Sequence, residues 1–168
     1  MPVILHEDDD NQCRFERALA CERDTEAMGA ALAEALEPGL MIHLEGDLGA
    51  GKTTLTRAVL RALDFTGSVK SPTYTLIEPY AISRLNLYHF DFYRFTDPDE
   101  FLEAGLDEYF GGDGVCVVEW PQRAYPHLPP ADVRITLRIE GTDRCAEVQG
   151  LSPRGQECAR KIRKIVNP

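Results

Sequence analysis

A chain of 168 residues is long enough for one domain with a sizeable core, and none of its apolar runs reaches the length of a bilayer-spanning helix. The formal net charge of −10 argues against unaided binding of nucleic acid, which needs a basic surface. Five cysteines (Cys13, Cys21, Cys116, Cys145, Cys158) are scattered, odd in number and never spaced as a metal knuckle, a composition that suits a reducing cytoplasm.

In chain order, residues 1–12 read as an acidic, solvated tail without the basic-then-apolar order of a signal peptide. Residues 13–168 read as a single domain. Cys13 to Ala20 predicts a first strand. Thr25 to Glu37 predicts a helix with Met28, Leu32, Ala35 and Leu36 on one face, Asp24 or Thr25 as N-cap, and Pro38-Gly39 as its stop. The apolar run Leu40 to Leu44 then leads into Gly46-Asp47-Leu48-Gly49-Ala50-Gly51-Lys52-Thr53-Thr54, a glycine, four residues, then Gly-Lys-Thr. Leu55, Val59, Leu60 and Leu63 follow at helical spacing. Strand, glycine-rich turn and helix start are the context a phosphate-binding loop needs. Glycines let backbone N–H groups converge on phosphate oxygens, the helix N-terminus adds partial positive charge, and Lys52 adds a full one. The Thr53 hydroxyl is placed to reach a magnesium ion.

Ser71-Pro72-Thr73, two hydroxyls around a stiff proline, reads either as a plain turn or as a switch segment facing a terminal phosphate. Tyr74 to Tyr80 and Arg84 to Tyr93 predict strands. Asp97-Pro98-Asp99-Glu100 has the makings of a capped helix start. Val115 to Val118 predicts a buried strand ending at Glu119-Trp120-Pro121. Asp132 to Glu140 and Cys145 to Leu151 predict an antiparallel pair, and a last helix starts near Pro153. Its basic cluster, Arg160-Lys161 with Arg163-Lys164, reads either as favourable charge at a helix C-terminus or as an RNA or partner contact. This order implies a three-layer α/β domain whose central sheet is mixed and mainly parallel, with antiparallel pairing at an edge.

Phosphate chemistry also needs an acid near the metal, and ligands of such sheets bind at the carboxyl ends of strands. Asp91 and Glu119 each end an apolar strand, so either can serve magnesium, and Glu119 can orient a water instead. His43 and His89 fall within strands and read as structural. Trp120, the only tryptophan, reads as core, as cover for the site or as a partner contact, and Arg57 or Arg94 is a candidate phosphate contact. No Asn-Lys-x-Asp guanine signature occurs, which favours ATP over GTP. Two other functions share this loop: a small-molecule kinase, and a nucleotide-dependent docking module without turnover. The kinase would carry an arginine-rich lid, whereas Asp97 to Asp113 is acidic and holds no Lys or Arg.

Four ordered segments, Gly46 to Thr54, Val69 to Thr75, Tyr88 to Arg94 and Val118 to Pro121, together resemble the TsaE family over about Asp24 to Gly150. These are small bacterial ATPases of tRNA threonylcarbamoyladenosine biosynthesis with a P-loop NTPase fold. The resemblance implies a cytoplasmic ATP- and Mg-dependent ATPase that works with TsaB and TsaD and meets tRNA only through them. Gly46 to Thr54 would bind ATP, with Lys52 on the phosphates and Thr53 on magnesium. Asp91 and Glu119 would be the family's acids, and Lys52 and Glu119 the catalytic pair.

Overall fold

The computed structural model describes residues 4–5, 13–82 and 84–168. The acidic tail expected over residues 1–12 therefore lies, apart from residues 4–5, outside the described residues. Among the described residues, eight strands form one sheet: β1 (Ile4–Leu5), β2 (Arg14–Leu19), β3 (Met41–Glu45), β4 (Ile77–Ala81), β5 (Asn86–Asp91), β6 (Val115–Glu119), β7 (Val133–Glu140) and β8 (Asp143–Gly150), in the order β1-β2-β8-β7-β3-β6-β5-β4. The four central strands β7, β3, β6 and β5 run parallel. Antiparallel pairs extend the sheet at both ends, β4 beside β5 on one side and β8, β2 and β1 beyond β7 on the other. The antiparallel pairing expected at one edge is thus present at two.

Helices α1 (Glu22–Ala35), α2 (Lys52–Ala62) and α4 (Pro153–Val166) all lie on one face. Their apolar sides (Met28, Leu32, Leu55, Leu60, Ile162) share one core with Ile42, Leu44, Leu87, Val117, Ile135 and Val148 from the sheet. Alternation along the strands puts the opposite side chains into a second core. There Phe90, Phe92, Cys116 and Val118 pack with Phe101 of the short helix α3 (Glu100–Glu103) and with Leu106 and Leu128. This third layer is made of brief helical turns and stacked rings, with Phe92 and Phe95 4.8 Å apart between centroids. Burial holds the Cys116 thiol protonated, with its pKa pushed up to about 12. It is a small core residue.

Helix boundaries follow local chemistry. The helix expected from Thr25 starts three residues earlier, with Cys21 as N-cap. Asp24 lies inside its first turn, where Oδ2 accepts the Ala20 N–H at 2.9 Å, so neither Asp24 nor Thr25 is the cap. The capped start expected at Asp97 is shifted: α3 has Asp99 as N-cap, without a side-chain cap bond, because Asp97 Oδ1 instead accepts the Asp99 N–H at 2.8 Å while Glu100 Oε2 accepts the Asp97 N–H at 3.1 Å in the turn before it. Gly105, at φ 68°, then stops α3 after four residues. Ser152 caps α4 through the Gly155 N–H at 3.0 Å, with Pro153 at its first position. The strand expected over Tyr74 to Tyr80 is shorter. Leu76, at φ 69°, closes a turn through its N–H to Pro72 O at 2.8 Å, and β4 begins only at Ile77. Pro79 is tolerated there because β4 is an edge strand.

His43 on β3 is 1 % exposed. Burial, with the Arg134 guanidinium nearby, lowers its pKa to about 4. Below the unfolded-state value near 6.5, the unfolded chain therefore binds a proton that the fold refuses. The stabilising effect of a neutral His43 is present above pH 6.5 and is lost as pH falls toward 4, a loss of up to about 3 kcal/mol. We predict that urea midpoints measured from pH 7 to pH 4.5 fall more steeply for the wild type than for His43→Gln. Parallel slopes would refute this assignment. No helix among the described residues is long and apolar enough to cross a membrane.

Candidate functional site

The carboxyl ends of β3, β5 and β6 lie side by side, and the register brings Glu119 opposite both Leu44 and Asp91. The chain leaves β3 through Gly46, Gly49 and Gly51 at φ 146°, 79° and 106°, backbone conformations that side chains with a Cβ rarely adopt. A Cβ on Gly46 would also lie 2.5 Å from Leu137 O. Beside Gly49 and Gly51 the same atom would meet nothing within 4 Å. There the loop faces open space, and glycine is required for the dihedral alone. Helix α2 then starts at Lys52, so the first-turn N–H groups face the same space.

Lys52 is only 5 % exposed. Its ammonium donates to Gly46 O and, at 3.4 Å, to Asp47 O, and it lies 4.1 Å from the centroid of the Trp120 ring. Burial pushes its pKa down, while the charges of Glu119, Asp91 and Asp47 oppose that shift. A buried cation among carbonyls and a ring is primed to take an anion. Trp120 supplies the ring by adopting the left-handed conformation, φ 57°, which bulky residues seldom accept and which costs about 1–2 kcal/mol. Core packing and site cover thus coexist in Trp120, which also packs against the phenylalanine layer.

The two strand-end acids are buried, Asp91 at 4 % and Glu119 at 3 % exposure, and both project to the face that carries α2. Thr53 Oγ1 donates to Glu119 Oε2 at 3.3 Å. Ser71 and Thr73 hydroxyls donate to Asp91 Oδ2 at 3.3 and 3.2 Å, and the Tyr93 N–H to Asp91 Oδ1 at 2.9 Å. The Ser71-Pro72-Thr73 segment therefore belongs to the site. These groups border a cavity of about 280 Å³ together with Gly51, Lys52 and Trp120. An all-oxygen set of one hydroxyl and two carboxylates is the donor chemistry magnesium takes, with water and phosphate completing its shell. Among the described residues, no group of three His, Cys, Asp or Glu side chains is arranged to hold a metal alone.

Neither candidate arginine borders this cavity. Arg94 stacks on the exposed Tyr74, 4.0 Å from its centroid, and Arg57 borders a different cavity between α1 and α2. Sequence reasoning missed two features. His89, expected to be structural, is fully buried with Nε2 2.6 Å from Glu119 Oε2. Its place two residues before Asp91, on the same strand face, was the available signal. Across the loop lies a second cavity of about 250 Å³, bordered by Cys21, Thr25, Gly49, Thr54 and Arg144, whose guanidinium donates to Gly49 O at 3.2 Å. Nothing in the local sequence ties the β7–β8 hairpin to the loop.

The model of the TsaE family, described as threonylcarbamoyl adenosine biosynthesis protein TsaE, matches residues 19–146. The chain is 48 % identical to the tRNA threonylcarbamoyladenosine biosynthesis protein TsaE of Haemophilus influenzae over 60 % of this chain, and spans 64 % of that protein, just under two thirds. It is 45 % identical to the Bacillus subtilis protein of the same name, over 71 % of this chain and 75 % of that one. The crystal structure of Bacillus subtilis YdiB superimposes with a TM-score of 0.80 at 31 % identity, covering 95 % of this chain and 100 % of that one. With the family model matching residues 19–146 and a relative 45 % identical over 75 % of its length, the chain belongs to the TsaE family.

Proposed function

We propose that this protein is a magnesium-dependent ATPase that serves tRNA threonylcarbamoyladenosine biosynthesis as a partner of TsaB and TsaD. The pathway is the one that names its family. The observation that carries the ATPase reading is the convergence, on one cavity, of a buried ammonium, a left-handed glycine loop and an oxygen-only donor set. Gly46 to Thr54 would hold the triphosphate with Lys52 on its outer phosphates, and the cavity by Thr25 and Arg144 would receive the nucleoside. Thr53 with Asp91 or Glu119 holds magnesium, which when bound neutralises phosphate charge. Glu119 is also the side chain placed to orient the attacking water, and Ser71 and Thr73 connect the phosphate end to Asp91.

An acidic protein of net charge −10 is suited to docking on partner proteins rather than on RNA. Calorimetry with Mg-ATP, followed by turnover with and without TsaB–TsaD, tests the reading. Binding in the micromolar range, slow turnover alone and faster turnover with the partners are expected. Absence of any Mg-ATP binding would overturn the nucleotide assignment. Equal turnover with and without the partners would overturn partner gating. Undiminished tRNA modification in a reconstituted system lacking this protein would overturn the pathway role.

A further inference from the structure

His89 takes no part in the loop and touches no candidate phosphate position, yet it is fully buried against one of the two acids. Its Nε2 lies 2.6 Å from Glu119 Oε2, too close for two lone pairs, so one proton lies between them. Its Nδ1 is buried with no hydrogen-bond partner among the described residues. A second N–H there would be a stranded donor in an apolar core, whereas a bare lone pair is the milder loss. Geometry therefore selects one tautomer, with Nε2–H toward the carboxylate.

On Glu119 the consequence is directional. Thr53 Oγ1 and His89 Nε2 both converge on Oε2, which leaves Oε1 as the oxygen to take a ligand. A flexible glutamate is thereby fixed at its tip by a strand neighbour, since β5 and β6 are paired and Asp91 lies opposite Glu119. Second-layer hydrogen bonds of this kind fix the orientation of metal and water ligands. We propose that His89 is the positioning residue of Glu119: its Nε2–H holds Oε2 so that Oε1 faces the phosphate end of the cavity. The proposal rests on the nucleotide-site reading, but its first test does not.

In the nucleotide-free protein, long-range ¹H–¹⁵N spectra should show His89 protonated at Nε2 and bare at Nδ1. The Nε2–H should be shifted downfield and protected from exchange, and should move upfield in Glu119→Gln. A proton on Nδ1 alone, or an Nε2–H indifferent to Glu119→Gln, would overturn the proposal whether or not ATP is hydrolysed. In turnover, His89→Leu should lower kcat about 10-fold or more while nucleotide Kd stays within about threefold. His89→Gln, which returns an N–H near the Nε2 position, should recover most of the loss. Added to Glu119→Gln, His89→Leu should reduce kcat little further, because both act through one carboxylate. A full additional loss in that background would show a merely structural His89. Should His89→Leu fail to fold, the spectra of the wild type and of Glu119→Gln still decide.

Discussion

Lys52→Ala is expected to weaken Mg-ATP binding by about 100-fold or more while leaving the melting temperature within a few degrees of the wild type. The two halves of that expectation have one cause. Lys52 is a cation held at 5 % exposure by two backbone carbonyls and an indole, and burial already depresses its pKa. Such a group contributes little to folding, because its desolvation offsets its contacts. Its favourable partner is a phosphate, and a charge-assisted bond to a desolvated anion is worth about 1.5–3 kcal/mol or more. Calorimetry and a thermal melt on the same sample check both halves. Full affinity in Lys52→Ala would remove the ammonium from the site. A collapse of the melt would mean that Lys52 serves the fold.

Glu119→Gln should separate binding from turnover. The amide keeps an oxygen able to accept from Thr53 and His89, so the hydrogen bonds at 3.3 and 2.6 Å have a neutral substitute and the sheet is undisturbed. What disappears is the negative charge and the ability to take a proton from water. Nucleotide affinity is expected to hold within about tenfold, while hydrolysis falls by roughly 10²-fold or more, the usual range for loss of a positioned base. Single-turnover rates at saturating Mg-ATP are the direct measurement. If tRNA modification survived at full level in this variant, the nucleotide would be acting as a docking signal without turnover. That would favour the binding-module alternative raised by the sequence.

The parts of this site legible in the sequence are those where local chain chemistry and function coincide. Glycine spacing fixed the loop because Gly46, Gly49 and Gly51 must take positive φ, a requirement written in residue type. Asp91 and Glu119 were legible because each follows an apolar run and the carboxyl ends of parallel strands meet. The α/β class and the antiparallel C-terminal pair followed from periodicity. Contacts made through the sheet were not legible. His89 reads as one more strand residue until pairing lays β5 beside β6, and Arg144 acquires its place near Gly49 only when β7 joins β3. The three layers were expected, but the make-up of the third was not legible for a related reason: short turns around Phe101 and Leu106 are held by ring packing with Phe90 and Phe92, which no local periodicity announces. Edge effects shortened β4, where a turn bond from Leu76 competes with strand pairing.

Trp120 gives the molecule an intrinsic optical probe. It is the only indole in the chain, and a buried ammonium lies 4.1 Å from its centroid. Any anion that draws that charge away alters the electric field across the ring's excited state, so emission intensity and colour follow occupancy of the loop directly. Ligand titrations, competition among nucleotides and stopped-flow association rates are then accessible on unlabelled protein. In a mixture with partner subunits whose tryptophans are replaced, the same emission would report on this subunit alone.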